Sequence, residues 1–336
     1  MENTEKLELI SRNTEEIITR EELQELLKKD KISAYIGRAT SGPLHLGHIV
    51  SLSKMLDLQK AGIEVIILIA DIHAALDDQK AKWEELDKKS EYTEKSIELS
   101  LKWIKKPKFV RGSEFQLKKE YQYDVLRAST FTTVERAIRA ASEVTRMKNP
   151  KVSELIYPIM QSLDEEYLGV DIQVGGRDQR HIFGLAREIL PILGYRKRVE
   201  ILLPLITSLE GPGKKMSSSS PNSRIKVHDK EESIIQKINN AYCPEGVIVD
   251  NPILQISKYL IFPNFGKVYI ERPSNYGGNV EYKSYEELEK DYQARKLHPK
   301  DLKMAVAKLI VELFKEVREY WEKRKDFLES LGPDFL

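Results

Sequence analysis

Short apolar runs alternate with segments of helical periodicity through the first two thirds of the chain. Runs of strand length cover residues 32–36, 64–70 and 199–206, and further strands are predicted within 109–115 and 170–176. The runs are nearly continuous, a pattern typical of parallel strands that are buried on both faces. Apolar residues recur at helical spacing between them, as in 49–58. This alternation over residues 31–228 predicts a doubly wound α/β domain.

The remaining segments have a helical pattern. Residues 1–30 are predicted to form an N-terminal helical segment, with Asn13 or Thr19 as N-cap, because a glutamate follows each of them three residues later. A helical insertion is expected at about 116–155 within the α/β domain.

A change of character at residue 229 predicts a second, mainly helical domain over 229–336. Its helices are interrupted by a loop at 263–282, which is rich in proline and glycine, and the last long helix follows Pro299.

Composition narrows the class of protein. The 336 residues are 41% hydrophobic and 32% charged, which is typical of a globular protein with two domains. No apolar run is long enough to cross a bilayer, so no membrane partner is expected. The N-terminus is charged, without a secretory signal, and the single cysteine, Cys243, fits a reducing cytoplasm. With a net charge of +1, any nucleic acid would have to bind to local basic patches.

One glycine-rich stretch, residues 35–48, carries candidate chemistry. It predicts a strand, a loop and the start of a helix, with His45 and His48 on one face of that start. A helix N-terminus with neighbouring donors can bind phosphate. Surface or metal-binding histidines are the alternative interpretation of this stretch alone.

A second stretch, residues 213–220, has the sequence GKKMSSSS. Together the two stretches resemble the paired HIGH and KMSKS signatures of class I aminoacyl-tRNA synthetases, here HLGH at 45–48 and KMSSS at 215–219. The resemblance implies a Rossmann-like catalytic domain at 31–228 and a C-terminal anticodon-binding domain at 229–336. It implies catalytic roles for His45, His48, Lys215, Ser217 and Ser218, and ATP binding by Gly37, Thr40, Gly47, His48, Met216 and Ser218.

The implied reaction starts with attack of an amino-acid carboxylate on the α-phosphate of ATP. Such chemistry needs in-line positioning and positive charge more than a protein nucleophile. Histidine and lysine donors at the phosphates fit that need. Mg²⁺ is expected to accompany ATP, without a dedicated protein metal site.

Further segments, at 35–42, 68–74, 112–117, 157–168 and 175–180, resemble the archaeal and eukaryotic tyrosyl-tRNA synthetases. The similarity runs from about residue 30 to about residue 310. It implies that Tyr35 and Asp164 bind the substrate phenol. It also implies that the tyrosine substrate is bound by Tyr157, Gln161 and Gln179 at its amino group, and by Leu68 and His73. Ala39-Thr40 replaces the Glu-Pro pair of many archaeal members, which leaves open any role of an acid at position 39.

Spacing supports a pocket along the predicted helix at 155–168. Tyr157, Gln161 and Asp164 recur every three to four residues and therefore share one face. The solvent side of an amphipathic helix is the alternative interpretation.

The resemblance implies tRNA(Tyr) as partner, with Tyr276, His298 and Asp301 at the anticodon. A loop aromatic can stack on an unpaired base, and an aspartate can accept from a guanine edge. A tyrosine packed on its own domain and a helix cap at residue 298 are the alternatives. A basic stripe is either a solvated face or a contact with the acceptor stem; it comprises Arg136, Arg139, Arg146 and Lys148.

The function implied is that of a cytoplasmic, homodimeric tyrosine–tRNA ligase. The main rival is a tryptophanyl-tRNA synthetase, which shares fold and signatures. An indole N–H has a donor and no acceptor, which suits Tyr35 and Asp164 less well than a phenol. A nucleotidylyltransferase and a catalytically silent RNA-binding relative are further alternatives.

Overall fold

The computed structural model describes residues 2–145, 149–216 and 224–336. By its contacts the chain divides into two compact units. Unit 1 comprises Met1–Gly42, Leu58–Glu94 and Lys105–Pro204, and unit 2 comprises Pro43–Asp57, Lys95–Ile104 and Leu205–Leu336. No helix within the described ranges is long and apolar enough to span a membrane.

A six-stranded sheet forms the centre of unit 1. Its strands are β1 (Glu16–Ile18), β2 (Ser33–Ala39), β3 (Glu64–Ala70), β4 (Lys108–Arg111), β5 (Ile172–Gly176) and β6 (Val199–Leu203), in the spatial order β1-β6-β5-β2-β3-β4. All neighbours are parallel except β1 and β6. The predicted doubly wound α/β fold is confirmed, with one antiparallel edge strand added.

Helices cover the sheet of unit 1 because its strands are apolar on both faces. They are α1 (Asn3–Ser11), α2 (Arg20–Leu26), α4 (Asp71–Leu76), α6 (Lys119–Phe131), α7 (Val134–Ala141), α8 (Val152–Tyr167) and α9 (Arg180–Ile192), while α3 (Leu46–Lys60) and α5 (Leu86–Leu99) have residues in both units. Helix α8 packs against α6, α7 and α9. Its buried residues share one apolar cluster with Tyr35 and Leu68 of the sheet.

Unit 2 is mainly helical, and besides residues 229–336 it contains 43–57, 95–104 and 205–228, which belong to the predicted domain at 31–228. The domain boundary at residue 229 stays a prediction. Its remaining elements are β7 (Thr207–Ser208), β8 (Gly211–Lys215), α10 (Glu231–Asn240), α11 (Pro252–Ile256), α12 (Phe262–Phe265), β9 (Val268–Ile270), β10 (Val280–Tyr282), α13 (Tyr285–Gln293), α14 (Pro299–Leu313), α15 (Lys315–Glu322) and α16 (Lys325–Ser330). Helix α10 packs against α14.

Two segments of the chain differ from the sequence prediction. The N-terminal segment contains β1 between its helices, and the predicted loop at 263–282 contains α12 and the antiparallel pair β9 and β10. Strands of three residues are too short to show an alternating pattern. Of the two predicted caps, Thr19 accepts from the backbone N–H of Glu22 at 3.2 Å and begins α2, whereas Asn13 lies outside the helices with φ of 59°.

Candidate functional site

Tyr35 lies on β2, and its side chain is buried beneath the helices of unit 1. Its Oη accepts a hydrogen bond from Nε2 of Gln173 on the neighbouring strand β5, at 2.6 Å. Burial, with the charge of Asp164 next in size, raises the pKa of Tyr35 well above its ordinary value. The phenol therefore stays neutral, and because Gln173 is the donor in this bond, the hydroxyl proton of Tyr35 points elsewhere.

Asp164 lies on α8 and is also buried. Its Oδ1 accepts from Nε2 of Gln116 and from Oη of Tyr121, each at 2.8 Å. Its Oδ2 is buried without a hydrogen-bond partner among the described residues, and His73 Nε2 lies 3.8 Å away. Burial raises the pKa of Asp164 to about 7. Asp164 Oδ2 is thus an acceptor left for a ligand, as is Gln116 Oε1, and no described residue accepts the hydroxyl proton of Tyr35.

His73 lies on α4 at the carboxyl end of β3, where parallel sheets present their ligand-binding residues. Burial lowers its pKa to about 4, so the ring is neutral at physiological pH. Its Nδ1 lies 3.3 Å from Gln116 Nε2, and its ring meets Tyr157 edge-on with centroids 4.6 Å apart. By contrast, the oxygens of Asp71 accept from the backbone N–H groups of Ile72 and Ser113 and from the Ser113 hydroxyl. Asp71 is therefore occupied by the protein itself.

The face of α8 predicted from spacing points inward. Tyr157 and Asp164 are buried, so the alternative of a solvent-facing stripe is wrong. Gln161 is half-buried and donates through Nε2 to Oε1 of Gln179 at 2.8 Å. An added Cβ on Gly175 would lie 2.6 Å from Phe183 Cζ and 2.8 Å from Gln179 Oε1. Only glycine at position 175 leaves room for this pair of amides.

Unit 1 therefore brings the predicted tyrosine-binding residues together. Tyr35, Leu68 and Tyr157 belong to one buried cluster, and His73 and Asp164 border it. Sequence reasoning missed three polar side chains of this pocket, Gln116, Tyr121 and Gln173. Gln116 follows the carboxyl end of β4, a position that could have identified it.

The two signature stretches come together within unit 2. The His45 and His48 rings have centroids 3.5 Å apart, and the His45 backbone N–H donates to His48 Nδ1 at 3.3 Å. An added Cβ on Gly47 would lie 3.1 Å from Sδ of Met216, which belongs to the second stretch. His45 also forms an antiparallel bridge with Lys226.

Other predicted ATP-binding residues are described to different extents. Thr40 is buried, and its hydroxyl has no partner among the described residues, while Gly37 lies on β2. Lys215 ends β8. Its side chain lies outside the described part of the structure, as do Ser217 and Ser218.

The predicted anticodon residues lie in the C-terminal part of unit 2. Tyr276 belongs to a 3₁₀ turn between β9 and β10, and its side chain lies outside the described atoms. His298 is exposed and is the N-cap of α14, with Nδ1 accepting from the Lys300 N–H at 3.1 Å. Asp301 lies in the first turn of that helix. The cap geometry at His298 is confirmed, and the anticodon role stays a prediction.

The basic stripe is only partly described. Arg136 forms a bidentate ion pair with Glu188, at 2.8 and 3.0 Å, so its charge is already matched within unit 1. Arg139 is exposed on α7. Arg146 and Lys148 lie outside the described residues.

Comparison with known proteins gives consistent matches over most of the chain. A family model, tRNA synthetases class I (W and Y), matches residues 27–315. The tyrosine–tRNA ligase of Archaeoglobus fulgidus is 49% identical over 322 residues, covering 95% of this chain and 98% of the relative. The crystal structure of tyrosyl-tRNA synthetase from Archaeoglobus fulgidus, complexed with L-tyrosine, has a TM-score of 0.90 at 48% identity and covers 95% of this chain and 99% of that one.

A tryptophanyl-tRNA synthetase is a more distant structural neighbour. The protein from Giardia lamblia has a TM-score of 0.71 at 21% identity, with coverage of 91% of this chain and 83% of that one. This likeness indicates a shared fold and nothing about the substrate.

The tight packing around Gly175 predicts the effect of a single methyl group. Gly175→Ala should destabilise the protein by about 1–3 kcal/mol, because Phe183 and Gln179 must move to admit the new Cβ. Gly37→Ala is the matched control, since its Cβ would meet only Leu68 Cδ2 at 3.9 Å. Urea unfolding of both variants measures the difference. Equal free energies of unfolding for the two variants would contradict the packing argument.

Proposed function

Because the chain belongs to the class I tRNA synthetases of the tryptophan and tyrosine type, we propose that it is a tyrosine–tRNA ligase in which buried residues of unit 1 bind tyrosine and the two signature stretches bind ATP. The protein activates L-tyrosine with ATP to tyrosyl-adenylate, releases pyrophosphate and transfers the tyrosyl group to tRNA(Tyr). One observation supports the choice of tyrosine above the others. Tyr35 has a buried hydroxyl whose proton no described residue accepts, and the charge of Asp164, whose buried Oδ2 has no partner among the described residues, acts on it.

The two groups match the two hydrogen-bonding functions of a phenol. The substrate oxygen accepts from Tyr35, and the substrate hydroxyl donates to Asp164 Oδ2. Phenylalanine would leave both buried groups without partners, at a cost of about 1–3 kcal/mol for each. An indole N–H could donate to Asp164 but could not accept from Tyr35. The pocket therefore favours tyrosine over the aromatic alternatives.

The other end of the substrate is assigned to three residues. Tyr157, Gln161 and Gln179 bind the α-amino group, with the mutual hydrogen bond of the two glutamines holding them in place. Leu68 packs against the substrate ring. His73 belongs to the proposed tyrosine-binding set, and because its buried ring is neutral it adds no charge there.

ATP is bound by the two signature stretches and by the loop after β2. His45, His48 and Lys215 supply donors or positive charge at the phosphates, where negative charge develops as pyrophosphate leaves. The proposed ATP-binding set also includes Gly37, Thr40, Gly47 and Met216, together with Ser217 and Ser218. Mg²⁺ arrives with the nucleotide, bound to its phosphates.

The proposed tRNA contacts are at the anticodon, through Tyr276, His298 and Asp301 of the domain at 229–336. The exposed position of His298 leaves the cap residue accessible to a base. The proposed location is the cytoplasm, where ATP and uncharged tRNA are available.

A homodimer is proposed from an exposed apolar surface of unit 1. Five large hydrophobic side chains from 117 to 134 are more than half exposed: Leu117 at 58%, Tyr123 at 62%, Leu126 at 69%, Phe131 at 57% and Val134 at 64%. A second copy of the chain is the occupant that the family resemblance suggests for this surface.

Pyrophosphate exchange tests the substrate assignment. The wild type should exchange with tyrosine, far more slowly with phenylalanine and not with tryptophan. Tyr35→Phe should lower kcat/KM for tyrosine by about 5- to 150-fold, because a donor to the phenol oxygen is lost, and should not lower the value for phenylalanine, which makes no bond to that hydroxyl.

The matched control is Tyr195→Phe, since the Tyr195 hydroxyl bonds to Asp124 and not to the pocket. Exchange with tryptophan, or equal losses for tyrosine and phenylalanine in Tyr35→Phe, would contradict the assignment.

The pH profile tests the role of Asp164. Its pKa of about 7 means that the carboxylate is present above pH 7 and is protonated below it. Since the carboxylate is the form that accepts from the phenol, kcat/KM for tyrosine should fall as pH decreases through 7, by about tenfold per unit at the acid limit. Asp164→Asn should be less active and should lack this step. A wild-type profile that is flat between pH 6 and 8 would argue against Asp164 as the acceptor.

Sedimentation velocity tests the dimer. The double variant Leu126→Asp, Phe131→Asp should sediment as a monomer, because two carboxylates cannot be buried unpaired in an interface. Val249→Asp is the control, since Val249 is 71% exposed and lies in unit 2. A double variant that sediments like the wild type would place the interface elsewhere.

A further inference from the structure

A row of polar side chains crosses the sheet beneath the helices of unit 1. Tyr35 of β2 is in register with Gln173 of β5, and Gln173 is in register with Glu200 of β6. Residues in register on adjacent parallel strands point to the same face and lie about 5 Å apart. All three side chains are buried. The row is flanked by Ile66 beside Tyr35 and by Ile18 beside Glu200, so it is closed at both ends by apolar residues.

Gln173 is the middle residue of the row, and only one of the two polar atoms of its side-chain amide has a hydrogen-bond partner in the described structure. Its Nε2 donates to Tyr35 Oη at 2.6 Å, while its buried Oε1 has no partner among the described residues. A buried amide oxygen without a donor is costly. On the side of Gln173 away from Tyr35, the residue in register with it is Glu200.

Glu200 itself lacks partners, and so does Glu165 of α8. All four of their carboxylate oxygens are buried without a hydrogen bond in the described structure. The neighbouring guanidinium groups are occupied elsewhere. Arg187 is paired with Glu22, and Arg198 with Glu166.

Buried carboxyl groups in this situation hold protons, because an unpaired ionised carboxylate is poorly solvated there. Burial raises the pKa of Glu165 to about 8. Burial also raises the pKa of Glu200 well above its ordinary value, and the nearby carboxyl group of Glu165 adds to this effect. Burial without a partner therefore favours the protonated form of Glu200, which has one O–H to donate.

We propose that Glu200 is a positioning residue for tyrosine recognition, because its acid O–H donates to Gln173 Oε1 and fixes the orientation of the Gln173 amide. With Oε1 occupied, Gln173 presents Nε2 to Tyr35 Oη, and Tyr35 keeps its own proton for the substrate phenol. If the amide turned over, Gln173 Oε1 would accept that proton, and Tyr35 could no longer donate to the substrate. Glu200 thus sets the direction of the hydrogen bonds in the pocket without touching the ligand.

The inference rests on the proposed function, since it is the substrate phenol that requires Tyr35 to be a hydrogen-bond donor. The test compares Glu200→Met with Glu200→Gln. Methionine fills the space of the glutamate and cannot donate, whereas the glutamine amide still donates to Gln173. Glu200→Met should raise KM for tyrosine by about tenfold in pyrophosphate exchange and reduce the preference for tyrosine over phenylalanine, with KM for ATP unchanged. Glu200→Gln should restore most of both losses.

Glu154→Met is the matched control. It removes another buried carboxyl of unit 1, but residue 154 lies in the first turn of α8 and not in the row, so KM for tyrosine should stay within about twofold of the wild type. Thermal unfolding of each variant confirms that it is folded, and calorimetric titration with L-tyrosine measures binding without turnover.

Two results would overturn the inference. One is a folded Glu200→Met variant with wild-type KM for tyrosine and wild-type preference over phenylalanine. The other is an equal loss in Glu200→Gln and Glu200→Met, which would mean that a donor is not what Gln173 requires. Failure of the proposed function would look different, because the wild type would then show neither exchange with tyrosine nor binding of it.

Discussion

Burial of polar groups with incomplete pairing is the constraint on which the pocket of unit 1 depends. A low-dielectric interior makes each unpaired donor or acceptor costly, so every missing hydrogen bond there is a place where a new partner would be stabilising. Tyr121 and Gln116 donate to one oxygen of Asp164, and Gln173 donates to Tyr35. Among the atoms that remain without a partner in the described structure, Asp164 Oδ2 and the Tyr35 hydroxyl proton match the two hydrogen-bonding functions of a phenol. The protein thereby has a reason, in free energy, to prefer one aromatic amino acid to its neighbours.

The same constraint explains why glycines lie around the pocket. Gly112 allows Gln116 and Asp71 to approach its backbone, because a Cβ there would lie 2.5 Å from Gln116 Oε1 and 2.8 Å from Asp71 Oδ1. Gly175 likewise allows Gln179 to approach its backbone. Polar side chains can be held rigidly in a close-packed interior only where the backbone leaves them space. The glycines are thus part of how the amides are positioned.

Much of the fold followed from the sequence, and the pocket followed in part. Long apolar runs such as β3 predicted the sheet, because strands that are buried on both faces leave a continuous apolar pattern. The spacing of Tyr157, Gln161 and Asp164 predicted the inward face of α8, because residues at a helical period share one face. Strands as short as β1 and β9 leave no such pattern. Gln173 and Glu200 were missed for another reason. Each is a single polar residue within an otherwise apolar strand, so the sequence pattern gives it no role. Only the register of β2, β5 and β6 shows that Gln173 and Glu200 are neighbours.

Helix α8 carries groups assigned to opposite ends of the bound amino acid, Tyr157 at the amino end and Asp164 at the phenol end. They are seven positions apart along the helix, a rise of about 10 Å, and that length is fixed by the backbone hydrogen bonds. An insertion of one residue between them would rotate Asp164 by about 100° and take it out of the pocket. The segment from 157 to 164 should therefore tolerate changes of side chain far better than any change in its number of residues.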